Sequence, residues 1–188
     1  MSHPEWRIRP LEPSDSLEEL TALLHRAYAP LAERGLRYLA THQDVDTTRK
    51  RAQRGDCFVA VTVPGDAIVA TIVVYPPASE LDHGNRSGAR GPKSYAQPGV
   101  ATFGQYGVEP AWKGRGLGRA LHAHAEMHAR SLGAHAIACD TAEPATDLIA
   151  MYERWGYSIV ERMRWEVTNY DSVVLSKRLD ALEIEESA

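Results

Sequence analysis

The feature that most narrows what this chain can fold into is a glycine-studded turn, Lys113-Gly114-Arg115-Gly116-Leu117-Gly118. It lies between an apolar stretch ending at Val108 and a helical pattern from Gly116 to Leu132. A strand running into such a turn and then into a helix is a layout for holding an anion. The first amides of a helix have no intrahelical acceptor, and the helix dipole puts partial positive charge there. Glycine at 114, 116 and 118 leaves no side chain to keep a diphosphate from the backbone. Lys113, Arg115 and Arg119 add positive charge around the same turn. The pattern is not a P-loop, because Gly118 is followed by Arg119-Ala120 and not by Lys-Ser/Thr. It is not a dinucleotide fingerprint either, since arginine occupies the third glycine position and no N-terminal βαβ unit precedes it.

The rest of the chain supplies the frame for that turn. Trp6 to Leu11 alternates and predicts a first strand. Ser14 or Asp15 is expected to cap a helix whose apolar stripe is Leu17, Leu20, Leu24 and Tyr28, with Pro30 stopping it. Asp44 to Arg54 predicts a second, basic helix, ended by Gly55. Cys57 to Val63 and Ala67 to Tyr75 predict a hairpin around Pro64-Gly65-Asp66. Val100 to Val108, Ala134 to Asp140, and a last hairpin (Tyr157 to Val167 and Tyr170 to Leu179, around Thr168-Asn169) complete the strands. A short helix spans Asp147 to Trp155 and ends at Gly156. The order β-α-α-β-β-β-α-β-α-β-β predicts an α/β fold on a mixed sheet. Residues 76–99 form a long connection, of the kind used as a lid or left disordered, and its basic stretch Arg86 to Lys93 reads as solvated.

Composition sets outer limits. A chain of 188 residues suits one domain, here residues 1–179, followed by an acidic tail at 180–188 expected to fray. A formal net charge of -4 gives no reason to expect nucleic acid or an anionic membrane as partner. The longest apolar run, Ala67 to Tyr75, is too short to span a bilayer. The first residues lack the apolar core of a secretory signal, and Cys57 and Cys139 sit in apolar runs, so a cytoplasmic protein with two buried thiols is the expectation. His122, His124 and His128 share a helix, but no glutamate follows at the zincin position, so no metal is expected. They read as solvent-facing or half-buried side chains.

Two segments together carry a specific resemblance. Val108-x-Pro110-x-x-Lys113-Gly114-x-Gly116-x-Gly118-x-x-Leu121 is similar to the central motif of the GNAT N-acetyltransferase superfamily, Arg/Gln-x-x-Gly-x-Gly/Ala after a strand. Met151-Tyr152-Glu153-Arg154-Trp155-Gly156-Tyr157 resembles that family's later Leu-Tyr-Glu-Lys-x-Gly-Phe signature. Lys113 replaces the leading Arg/Gln, and Ala145 stands where the family often has asparagine. The resemblance covers about residues 6–179. It implies a single-domain fold with a mixed, mostly antiparallel central sheet of six to seven strands and about four helices. It also implies acetyl-CoA as co-substrate and an amine acceptor.

Acetyl transfer from a thioester to an amine needs a neutral amine, a stabilised oxyanion and a proton for the departing thiolate. The resemblance implies that Tyr106, Gly107 and Val108 contact the thioester arm through the main chain, with Gly107 permitting a bulge. The coenzyme's diphosphate would then lie on Lys113, Gly114, Arg115, Gly116, Leu117, Gly118 and Arg119. Tyr152 matches the family tyrosine that protonates the thiolate. An alkylamine with a pKa of about 10 must lose a proton, and Thr102 stands where histone-type members have a glutamate base. Asp140 is the favoured base, with Glu109, Glu143 or a water chain as alternatives. Tyr95, Trp165 and Tyr170 are candidates for the acceptor pocket or the core. The expected acceptor is a primary amine of a small molecule or peptide. A coenzyme-binding module without turnover and a different acyl donor are the alternatives. The last hairpin offers an edge on which a second copy could pair as a homodimer.

Overall fold

A computed structural model of the protein describes residues 5–77 and 91–179. The stretch Arg86 to Arg90, most of the long connection and the acidic tail therefore lie outside the described residues. Seven strands form one sheet in the order β1-β2-β3-β4-β5-β7-β6. They are β1 (Trp6–Pro10), β2 (Asp56–Thr62), β3 (Ile68–Tyr75), β4 (Val100–Val108), β5 (Ala136–Ala142), β6 (Ser158–Met163) and β7 (Ser172–Arg178). Four helices accompany them: α1 (Leu17–Glu33), α2 (Val45–Gln53), α3 (Leu117–Ser131) and α4 (Thr146–Arg154). Every pairing is antiparallel except β4 with β5. The α/β fold and mostly antiparallel sheet are as the sequence predicts. Among the described residues no helix is long and apolar enough to cross a membrane.

The strand β3 explains its own sequence. Its six interior residues are buried on both faces, with α1 on one side of the sheet and α3 on the other, so an uninterrupted apolar run replaces alternation. The core of that sandwich holds Phe58, Ile72, Phe103, Leu117, Leu121 and Ile137.

Several boundaries differ from the sequence expectation for identifiable reasons. Ser16, not Ser14 or Asp15, caps α1, its Oγ accepting the Glu19 amide at 3.1 Å. Asp15 instead binds Arg9 through two 2.7 Å contacts. Pro30 does not stop α1, which continues to Glu33. The carbonyl that Pro30 leaves unbonded belongs to Arg26 on the exposed face, where water can replace the lost bond, so the helix runs on and buries Leu31. The strand β5 is displaced by two residues, because Gly133 turns the chain with φ 81° and the His135 amide pairs with the Gly99 carbonyl. In the last hairpin β6 stops at Met163 and β7 begins at Ser172, so residues 164–171 do not extend the sheet. The edge strands are β1 and β6.

Two irregularities shape the site. First, β4 pairs with β5 only through Val100, Ala101 and Thr102; beyond them the strands part and a cleft opens. Second, the register of β4 on β3 jumps from Gly104 opposite Val73 to Gly107 opposite Thr71, so Gln105 and Tyr106 form a bulge. The strained residue is Gln105, with φ 47°, and not Gly107 as the sequence suggested. Gly107 serves a different need. A Cβ there would come within 3.2 Å of Ala27 and 3.3 Å of Leu24, so its absence lets α1 lie close on the strand. A left-handed glutamine costs about 1–3 kcal/mol and persists only where its surroundings hold it. Here the buried Gln105 amide accepts a 2.7 Å bond from Gln43 Nε2.

Candidate active site

The turn after β4 is built as its glycines require. Pro110–Trp112 forms a short 3-10 turn, then Gly114 (φ 77°) and Gly116 (φ 79°) reverse the chain in the left-handed region. Gly116 caps α3 without a side chain, and the first bond inside the helix runs from the Ala120 amide to the Gly116 carbonyl. The amides of Leu117, Gly118 and Arg119 thus point out of the helix start with no intrahelical acceptor. No protein atom lies within 4 Å of the Cβ positions of Gly114 and Gly116, so the space above the turn is open. Gly118 is needed for packing, because a Cβ there would sit 2.8 Å from Tyr106 Oη.

The other residues expected around the turn divide into two groups. Lys113 and Arg119 line the cleft. Arg119 lies 5.1 Å over the Trp155 ring, which fixes its height above the helix start. Arg115 is placed elsewhere, 5.0 Å over Trp112 and 3.2 Å from Glu5. The Leu117 side chain is in the core, so only its backbone is available to a ligand. Ala145, at the start of α4, is fully buried.

The cleft has a volume of about 630 Å³. Its lining includes the glycine turn, then Tyr106, Gly107, Met151 and Tyr152, and also Asp140, Arg51, Trp165 and Tyr170. Thr102 pairs with Ala138 and Gly104 lies beside Arg51, so Asp140 and Arg51 stand back along β4 from the turn, at the far end, where Trp165 bonds to Asp140. Burial holds the Tyr152 phenol well above its ordinary pKa, so it is a protonated donor at neutral pH. Its hydroxyl interacts with the Cys139 thiol. Asp140 accepts hydrogen bonds from Tyr95 Oη (2.8 Å) and Trp165 Nε1 (2.9 Å). Burial raises its pKa, making it a better base than an exposed aspartate, although both donors and the charge of Arg51 oppose the shift. The other two carboxylates considered are engaged elsewhere. Glu109 is gripped by Arg26 and Glu143 by Arg162, and neither lines the cleft. Tyr95 and Trp165 are therefore the partners of Asp140, and Tyr170 belongs to a cluster with Tyr28 and Tyr38 on the wall of the cleft.

Behind this wall, the expectation for His122 is corrected. It is fully buried, stacked 4.7 Å from Trp155, with Nε2 2.9 Å from Tyr157 Oη and Nδ1 3.2 Å from Glu126. Glu126 is in turn held by Lys177 at 2.8 Å. A helical histidine can be buried when both ring nitrogens find partners. His124 and His128 pack edge-on against Phe58. Among the described residues no group of side chains is arranged to hold a metal ion.

Burial, with the nearby charges of Arg119 and Lys177, pushes the His122 pKa down to about 3. The folded state thus keeps this ring neutral while the unfolded chain protonates it near pH 6.5. The contribution is fully present above about pH 6.5 and is lost as pH falls toward 3, with a slope of at most about 1.4 kcal/mol per pH unit. Denaturant unfolding of the protein and of His122→Gln at pH 7 and pH 5 should show a pH loss smaller by roughly 2 kcal/mol in the variant. Equal losses would assign the acid sensitivity to other groups.

What the residues used most conspicuously by the far end share is invisibility in sequence. Arg51, Gln43 and Gln105 come from α2, the segment before it and the bulge, and no spacing links them. The bulge itself has one weak signal, a polar residue between Gly104 and Gly107.

Comparison with known proteins identifies the fold and the family. The sequence profile of the Acetyltransferase (GNAT) family matches residues 17–157. The chain is 29% identical over 156 residues to S-(2-succino)cysteine N-acetyltransferase of Bacillus subtilis (strain 168), covering 82% of this chain and 84% of that one. Its fold matches a GNAT family acetyltransferase of Elizabethkingia anophelis solved with acetyl-CoA bound (TM-score 0.63, 14% identity, 94% of this chain and 100% of that one). It also matches an acetyltransferase of Streptococcus agalactiae (TM-score 0.64, 20% identity, 94% and 100%). The profile match covers most of the chain, and the chain therefore belongs to the Acetyltransferase (GNAT) family as an acetyl-CoA-dependent N-acetyltransferase.

Proposed function

We propose that the protein moves the acetyl group of acetyl-CoA to the primary amine of a small molecule, with Asp140 as base and Tyr152 as acid. The observation that carries this reading is the placement of Asp140 and Tyr152 on one cleft whose opposite end is the open glycine turn. The coenzyme diphosphate would rest on the amides of residues 117–119, with Lys113 and Arg119 beside it. Its thioester would then reach β4 where that strand is free of β5. Asp140, directly or through water, takes a proton from the incoming ammonium. The amine nitrogen then bonds to the thioester carbonyl carbon, the carbon–sulfur bond breaks, and Tyr152 gives its proton to the leaving thiolate, while the second proton lost by the nitrogen passes through water and restores the phenol. A small acceptor is favoured over a peptide by the curated relative, whose name gives a cysteine derivative as its substrate.

The test is release of free thiol from acetyl-CoA on addition of an amine panel. Coenzyme binding without thiol release on any amine would overturn the reading. Asp140→Asn should lower kcat/KM about a hundredfold at neutral pH, the usual scale for a lost general base. A variant retaining more than half the activity would move the base to a water chain.

A further inference from the structure

Among the described residues, the arginines that make ion pairs are matched to carboxylates: Arg9 with Asp15, Arg26 with Glu109, Arg34 with Asp147, Arg162 with Glu143. Arg51 is held differently. Its Nη1 donates to Gln43 Oε1 at 2.6 Å, and its charge also acts on the Tyr75 hydroxyl. Gln43 is 2% exposed and is itself fixed, its Nε2 donating to Thr48 Oγ1 and Gln105 Oε1 at 2.7 Å each. Thr21 completes the set with a 2.8 Å bond to Thr48. Among the described residues the side chains that orient the guanidinium by hydrogen bonds are therefore neutral.

The guanidinium is aimed at the acceptor end. Arg51 lines the cleft, and a Cβ on Gly104 would come within 3.3 Å of Nη2 and 3.9 Å of Tyr75 Oη, so glycine leaves room for the guanidinium beside β4. Among the described lining residues the other two cations, Lys113 and Arg119, stand at the coenzyme end, and Asp140 is the sole carboxylate. Among the described residues no carboxylate lies within ion-pair distance of Arg51, although its charge acts on Asp140 from farther off, and a planar guanidinium is best matched by a carboxylate bound through two parallel hydrogen bonds. The far end therefore presents one cation and one carboxylate to the same small volume, the complement of a molecule carrying both an amine and an acid.

We propose that Arg51 anchors a carboxylate of the acceptor, so that the amine acetylated here belongs to a small amino-acid-like molecule. This rests on the reading that the acceptor enters beside Asp140. Gln43 is a positioning residue for that anchor.

The test uses the full chain, acetyl-CoA and a thiol-release assay on paired acceptors. Methionine, phenylalanine, aspartate and an S-carboxyalkyl cysteine are each offered as the free acid and as the α-carboxamide, beside simple alkylamines. The carboxamides are the less basic amines and carry more neutral nitrogen, so any preference for the acids comes from the site. We expect the accepted acid to exceed its carboxamide in kcat/KM by about a hundredfold, the scale of a lost charged hydrogen bond. Arg51→Ala should bring that ratio close to one, and Arg51→Lys should leave it intermediate because charge remains without the fork. Acetyl-CoA affinity within twofold of the parent shows that the variants are folded. Turnover with no preference for acids, or a ratio unchanged in folded Arg51→Ala, overturns the Arg51 assignment and leaves the transferase standing. No thiol release on the whole panel overturns the transferase reading and this one with it.

Discussion

Valine at position 116 should weaken acetyl-CoA binding by more than about a hundredfold while leaving the protein folded. Gly116 sits at φ 79° with open space where its side chain would be. A β-branched residue in that region costs about 1–2 kcal/mol in backbone strain. It also places two methyl groups in the volume from which a diphosphate would reach the amides of residues 117–119. Each charged hydrogen bond lost there is worth about 1.5–3 kcal/mol, and every 1.4 kcal/mol is tenfold in affinity, so two lost bonds are enough. Gly133 is a built-in control. It has φ 81°, equally open surroundings and a place at the other end of α3. Gly133→Val should carry similar strain and bind the coenzyme like the parent. Calorimetric titration of acetyl-CoA into both variants separates the two effects. Parental affinity in Gly116→Val would contradict the assignment of the turn.

Tyr152→Phe should lower kcat by about a hundredfold or more with the Kd for acetyl-CoA changed by less than about threefold, the pattern of a group that acts in the transition state alone. The ring is buried among Phe103, Trp155 and Tyr157, and phenylalanine keeps that packing. Only the hydroxyl is removed. Its raised pKa keeps the donor protonated across the neutral range, so the loss should not vary between pH 6 and 9. A variant with undiminished kcat would assign thiolate protonation to water. A loss confined to KM would make Tyr152 a binding residue.

The two halves of the cleft were unequally legible in the sequence, and the reason is physical. The proposed coenzyme end is a backbone feature, a helix start left open by glycine, and such a feature is written in adjacent residues. Gly114, Gly116 and Gly118 therefore leave a contiguous trace, although Gly118 is needed for packing against Tyr106, and Tyr152 has its own signature close to the end of α4. The succession of strands along the chain followed from the apolar runs in the same way, since β3 is buried on both faces and reads so. The far end, proposed for the acceptor, is assembled from side chains that tertiary contacts bring together across long separations. Arg51 reaches Gln43, Gln43 reaches Gln105, and Asp140 meets Tyr95 and Trp165, with no periodicity to announce any of these pairs.

The local misreadings have the same origin. A proline reads as a helix stop, yet Pro30 is tolerated because the carbonyl it strands lies in solvent. His122 reads as a polar residue on a surface helix, yet Tyr157 and Glu126 arrive from elsewhere in the fold and on its own helix to satisfy both nitrogens. The bulge was expected at the glycine, Gly107, and falls on Gln105 because a buried amide network holds the strained residue in place.

If the turn at 113–118, the parted end of β4 and Tyr152 form one coenzyme site, a crystal structure of the protein with acetyl-CoA should show it. Diphosphate oxygens are expected within hydrogen-bond distance of the amides of residues 117–119 and the thioester sulfur within reach of Tyr152 Oη, with the acetyl group facing Asp140. A diphosphate bound away from the helix start, or a thioester sulfur screened from Tyr152 by other side chains, would contradict it.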